Sequence, residues 1–281
     1  MYRLLTSFLL IAFIPMTANA AELKVPGQDL GLVPHKALYK VELESARSGS
    51  QVVNISGQMY YEWGYDCDAW TSKHRFNVLY EYADSPTMRI TSDFSNFEAF
   101  DGSTLDYSVI REQNGKQYEE IRGHADAYAD KEGAAIFNQP PGLTHGLPAG
   151  TLYPTMHTIK VIEAAKEGKK FYNAVIFDGS DDEGPVEINA FMGKKRDGLQ
   201  GFEEENVVID KELLKGSAQE IQLAFFPLKE NKEEVDYEMQ LVLHHNSVIS
   251  DMVIDYGDFS VSQKLVALEK SSADDIKNTC Q

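Results

Sequence analysis

Two cysteines in 281 residues are too few for the dense disulfide frameworks of small secreted domains. Neither stands in a C-x-x-C arrangement or beside a histidine at ligand spacing, so a thiolate zinc site has no basis here. Basic residues are also scarce, with 26 Lys and Arg against 44 Asp and Glu and a formal charge of -18. Such a surface repels phosphate backbones and anionic head groups, which argues against nucleic acid and electrostatic membrane docking as partners. Beyond the first twenty residues no apolar run approaches the roughly 20 residues that cross a bilayer as a helix. G-x-S-x-G and H-E-x-x-H are both missing, so two common hydrolase signatures are excluded. No repeat of 20–50 residues and no low-complexity linker divides the chain, and one domain is expected.

The chain start carries a pattern of its own. Arg3 is followed by the apolar stretch Leu4 to Ile14, then Pro15 and the small-x-small run Ala18-Asn19-Ala20. These are the three parts of a secretory signal peptide, with cleavage expected between Ala20 and Ala21. The expected organisation is therefore a signal peptide over residues 1–20 and a single β domain over 21–281. No cysteine follows the cleavage point to accept a lipid, so the expected location is the periplasm, with a soluble, unlipidated product. In an oxidising compartment Cys67 and Cys280 are read as a disulfide tying the tail to an early strand; a reactive thiol and a metal pair are the alternatives.

Period-2 alternation recurs along the chain. In 36–44 Tyr39, Val41 and Leu43 face one way and Lys40, Glu42 and Glu44 the other. The run 52–61 sets Val53, Ile55, Met59 and Tyr61 on one face, and 75–82 does the same with Phe76, Val78, Tyr80 and Tyr82. Further runs at 104–110, 118–125, 220–226, 236–243 and 247–259 behave alike. Such Val-, Ile-, Tyr- and Phe-rich segments are strands. "DGST" and "QNGK" supply hairpin turns between them, and "HHNS" at 244–247 is a weaker one. Some ten to fourteen strands predict a mainly β fold with a highly curved, closed or sandwiched antiparallel sheet. One segment, 154–168, has helical spacing through Met156, Ile159, Ile162 and Ala165, with Pro154 at its start and Gly168 at its stop. A lone amphipathic helix suits the concave face of such a sheet.

Candidate chemistry is sparse. His124, His145 and His157 cluster in the middle third, yet no spacing motif makes them ligands, and surface or half-buried histidines are the preferred reading. Asp178, Ser180 and Asp182 alternate as calcium ligands would, but Glu183 occupies the position needing Gly and Asn189 the position needing Glu, so a solvated hairpin tip is preferred. No catalytic residue, metal ligand or cofactor is assigned. Thirty aromatics, 14 Tyr, 14 Phe and 2 Trp, serve core packing first; in a curved sheet they equally line a cavity for an apolar ligand.

Several blocks occur in a specific order: "CDAWT" after a Met-Tyr-Tyr strand, "EAFDG" (98–102), "LPAGTLYPTMH" (147–157), "VIFDGSDDEG" (175–184), "LAFFP" (223–227), "LHHNSVISDMVIDYGDFSV" (243–261) and a C-terminal cysteine. Together they resemble the EipB family of periplasmic cell envelope integrity proteins, over nearly all of residues 21–281. Two departures concern turns: the family pattern often has Gly at Ala69 and Asn-Gly at Asn246-Ser247. The resemblance implies a single-domain β-spiral or half-barrel, similar to the periplasmic carriers that escort lipoproteins, with one helix in its concavity. It also implies a Cys67–Cys280 bridge, a role in envelope integrity and stress resistance, and no catalytic residues. The expected function is thus non-enzymatic support of the envelope, by binding a lipid or lipopeptide ligand or an envelope protein partner. A ligand-free interaction module is the alternative, and an unrecognised secreted hydrolase ranks last.

Overall fold

The computed structural model describes residues 25–202, 208–228 and 235–271. The expected signal peptide, its cleavage point at Ala20 and Ala21, and Cys280 lie outside them. Eight strands come first: β1 (His35–Ala46), β2 (Val52–Asp66), β3 (Ala69–Tyr82), β4 (Met88–Ala99), β5 (Thr104–Gln113), β6 (Lys116–Asp126), β7 (Gly133–Gln139) and β8 (Thr144–Leu147). The helix α1 (Pro154–Lys166) follows. Six more strands complete the chain: β9 (Phe171–Ile176), β10 (Val186–Asp197), β11 (Ser217–Pro227), β12 (Tyr237–His244), β13 (Ile249–Asp255) and β14 (Phe259–Lys270).

All fourteen strands form one antiparallel sheet in the order β8-β7-β6-β5-β4-β3-β2-β1-β14-β13-β12-β11-β10-β9. It is two meanders, β1 to β8 and β9 to β14, welded by the first strand pairing with the last from His35↔Lys270 to Ala46↔Phe259. Asn114 and Gly115 both take positive φ in the β5–β6 turn, as a two-residue hairpin demands.

The sheet has two ends, and no ladder joins β8 to β9 among the described residues. The expected strongly curved β-spiral or half-barrel is therefore corrected to an extensive open sheet, neither strongly curved nor closed into a barrel. Alternation and turn spacing dictate how many strands form and which side chains face inward; they carry no information on closure. Closure depends on the edge strands, and here the chain leaves one edge after β8, runs through α1 and re-enters at the opposite edge as β9.

The expected Cys67–Cys280 bridge falls partly outside the described residues. Among the described residues no disulfide bond joins two cysteines: Cys67 is not free, but Cys280 lies outside. A staple was expected to hold the last strand against fraying. The β1–β14 ladder already does this along the whole of β14.

Helix α1 starts at Pro154, as its spacing predicts, and ends where Gly168 takes φ 76 and Lys169 N–H donates to Ala164 C=O at 3.0 Å. Its buried residues are Thr155, His157, Ile159, Val161, Ile162 and Ala164, a wider stripe than the predicted one. The helix is covered on more than one side, packing in a single cluster with Trp63 and Trp70 of β2 and β3 and with Ala190, Met192, Ile221, Leu241 and Met252 of β10 to β13. A second cluster joins β1, β2 and β14 through Tyr39, Ile55, Met59, Val261 and Leu265. A third lies under β5 to β7, with Leu105, Val109, Ile121 and Phe137 around Tyr153 and Phe177. One predicted face fails at a single position. Val53 is 58% exposed, because the β2–β3 register slips between Val52 and Asn54 and the bulge turns Val53 away from Ile55.

Candidate functional site

Strand β4 inverts the usual alternation. Asn96 and Glu98 are buried while Phe97, between them, is exposed. The inward carboxylate of Glu98 accepts hydrogen bonds from the backbone N–H groups of Thr155 at 2.7 Å and Met156 at 2.8 Å. These are the first donors of α1, left open because the N-cap Tyr153 supplies no side-chain cap and the first turn has no acidic residue. A distant strand thus caps the helix and fixes where it starts. No Lys or Arg pairs with Glu98 among the described residues. Burial pushes its carboxyl up from 4.5 to about 7, against the lowering effect of the Thr155 and Met156 hydrogen bonds.

Beside this cap lies a cavity of about 320 Å³, within the size range of small-ligand sites. Seven strands adjacent in the sheet, β4 through β1 to β14, β13 and β12, line it together with the first turns of α1. Its walls are mostly apolar: Tyr39, Met59, Tyr61, Trp63, Phe76 and Phe94 from one half, and Met239, Ile249, Met252 and Ile254 from the other, with Leu32 and Pro154. Alternation puts them there, since Met59, Tyr61 and Trp63 are every second residue of one strand, and Ser72, His74 and Phe76 of the next.

The aromatics are ordered against one another. Trp63 stacks on Trp70 with centroids 4.7 Å apart, and its indole N–H reaches Thr155 Oγ1 at 3.4 Å. His74 stands edge-on to Tyr61 at 4.8 Å and to Phe94 at 5.2 Å. That apolar setting lowers its pKa from 6.5 to about 4, through burial, so at neutral pH the imidazole is uncharged. Ser72 donates to Asn96 Oδ1 at 2.8 Å, and the Tyr39 hydroxyl donates to Ile249 C=O at 2.8 Å. Gln263 Oε1 and Ser247 Oγ are buried with no hydrogen-bond partner, and both residues line the cavity. Ser247 takes φ 77, the left-handed conformation expected where the family pattern has Gly.

The three histidines of the middle third are not brought together. His124 bonds Asp106 at 2.8 Å on β6, His145 meets Asp182 C=O at 2.8 Å, and His157 is buried in α1 against Tyr172. Asp178 Oδ1 accepts from Ser180 N–H and Asp181 Oδ1 from Glu183 N–H, so this hairpin tip uses carboxylates to shape its own turn. Among the described residues no group of three or more His, Cys, Asp or Glu is placed to hold a metal, and no helix is long and apolar enough to cross a membrane. The residues sequence reasoning missed are Asn96, Glu98, His74 and Gln263. The available signal was Asn96 and Glu98 at alternate positions leading into the turn at 100–103, where an acidic residue interrupts an otherwise strand-like period.

The chain is 29% identical over 241 residues to the cell envelope integrity protein EipB of Brucella abortus (strain 2308), covering 85% of this chain and 84% of that protein. A crystal structure of a beta-barrel-like protein of a domain of unknown function from Brucella abortus superposes with a TM-score of 0.77 at 28% identity, over 86% of this chain and 99% of that one. The EipB-like family pattern itself matches residues 26–272, and the chain belongs to the EipB-like family.

Proposed function

We propose that this protein supports the cell envelope by holding an apolar, lipid-like ligand in the cavity beside the start of α1. It is a non-enzymatic periplasmic protein of cell envelope integrity, as its family membership and its relative's role give. The observation that supports ligand binding is the cavity of about 320 Å³ walled by Trp63, Tyr61, Phe94 and the aliphatics of β13. Burial of an acyl chain there stabilises a complex by about 0.8 kcal/mol per CH₂, which suffices for capture and release without chemistry. The polar groups around it serve binding. His74 is uncharged and flanked by rings, and among the described residues no nucleophile is paired to it in the manner a hydrolase needs.

Native mass spectrometry of protein taken from the periplasm tests the reading. A discrete added mass lost on organic extraction is the expected result. Protein that is uniformly bare and ignores added lipids and lipopeptides contradicts it.

A second reading, docking of an envelope protein, is favoured by Phe171 of edge strand β9 and Phe191 of β10. They are 47% and 48% exposed, with ring centroids 5.1 Å apart. Exposed edges recruit strands through backbone hydrogen bonds. Periplasmic crosslinking that enriches a partner in wild type and loses it in Phe191→Ser supports this reading; equal recovery from both counts against it.

A further inference from the structure

The cavity's unused polar capacity specifies the head group of its ligand. Most polar side chains on its wall are already committed: Ser72 to Asn96 and the Tyr39 hydroxyl to Ile249 C=O. Gln263 is not. It is 4% exposed on β14 and lines the cavity; its Oε1 is buried and unpartnered, and its amide nitrogen supplies donors as well. An unsatisfied buried acceptor is costly and is relieved by a donor. Ser247 Oγ, equally unpartnered, both donates and accepts.

Charge decides what kind of head group. Among the described residues no Lys or Arg lines the cavity, and the carboxylate on its wall is that of the exposed Asp178. His74 stays neutral in its apolar setting and offers no cation either. An ionised carboxylate or phosphate brought inside would lose its hydration with no counter-charge. We propose that the cavity, taken as a site for an apolar ligand, selects uncharged amphiphiles whose heads hydrogen-bond the Gln263 amide, such as primary fatty amides and monoacylglycerols, and rejects free fatty acid anions. The specificity rests on that ligand-binding reading and goes beyond it by fixing the head-group class.

Titration calorimetry with lauramide, monolaurin and laurate tests this at a mildly alkaline pH where laurate is ionised. The chain is common to all three, so head groups alone are compared. Lauramide and monolaurin should bind roughly tenfold or more tighter than laurate, reflecting the unpaired charge. In Gln263→Leu, checked for an unchanged circular dichroism spectrum, lauramide should weaken by about threefold to tenfold while laurate is unaffected. Laurate binding as tightly as lauramide to the wild type overturns the head-group inference and leaves the ligand-binding reading standing. Failure of all three probes to bind overturns both. The wild-type comparison stands on its own if the Gln263 variant does not fold.

Discussion

Replacing Glu98 by Gln should change how stability depends on pH, in a direction opposite to that of most carboxylates. Burial raises the Glu98 carboxyl in the fold from 4.5 to about 7, so between those values the native state holds a proton that the unfolded chain has released. Stability from this group is therefore fully present below about pH 4.5 and is lost as pH rises through about 7. The whole span corresponds to about 3 kcal/mol, of which about 1 kcal/mol falls between roughly pH 6.5 and 8. His35, His74, His157 and His244, all lowered by burial to about 4, and His124, raised by its hydrogen bond to Asp106, contribute alike to both proteins, so the difference between their curves isolates Glu98. Urea unfolding followed by tryptophan fluorescence would compare wild type with Glu98→Gln across this window. The wild type should lose about 1 kcal/mol relative to the variant as pH rises. The amide keeps one acceptor for the N–H groups of Thr155 and Met156, so the helix start survives in the variant. Parallel curves would refute the reasoning, since they would mean that Glu98 ionises in the fold as it does in the unfolded chain.

His74→Phe should make the protein more resistant to acid. The neutral imidazole, held at about 4 against an ordinary 6.5, contributes stability that is intact above pH 6.5 and lost as pH falls towards 4, up to about 3 kcal/mol. A phenyl ring keeps the contacts to Tyr61 and Phe94, so the acid midpoint by fluorescence should drop, and an unchanged midpoint would contradict this. Gly57→Ala on β2 should destabilise by about 1–3 kcal/mol, because an added Cβ overlaps the carbonyl oxygen of Asn77 and comes within 2.7 Å of Val78 Cα, both backbone atoms of the neighbouring strand. A melting temperature equal to wild type would show that β2 and β3 separate more easily than their ladder implies.

Most strands are legible in the sequence because their inward residues are apolar and their outward ones are charged, as in β1, where Tyr39 and Val41 alternate with Lys40 and Glu42. The helix is legible for the same reason and from its Pro154 and Gly168 punctuation. Strand β4 is not, since its inward positions carry Asn96 and Glu98 and its outward one Phe97. Periodicity sees polarity, not direction, and this strand exchanges the two in order to cap a helix more than fifty positions away. The sheet's open form escapes a reading of the sequence because curvature is a property of edges and crossings, and the β1–β14 weld and the β8-to-β9 passage through α1 leave no local mark. The cavity's aromatics are recognisable as a set, but core and cavity wall have one composition. Gln263 gives no signal at all, being a single amide in an alternating strand whose missing partner exists only in three dimensions.

Entry of an uncharged lipid into the cavity walled by Trp63 is tested most directly with brominated monoolein, titrated into the protein while tryptophan emission is recorded, because bromine quenches indole only on contact. Saturable quenching, reversed by excess unbrominated monoolein, is the predicted result. Emission that stays constant up to saturating probe would contradict the account.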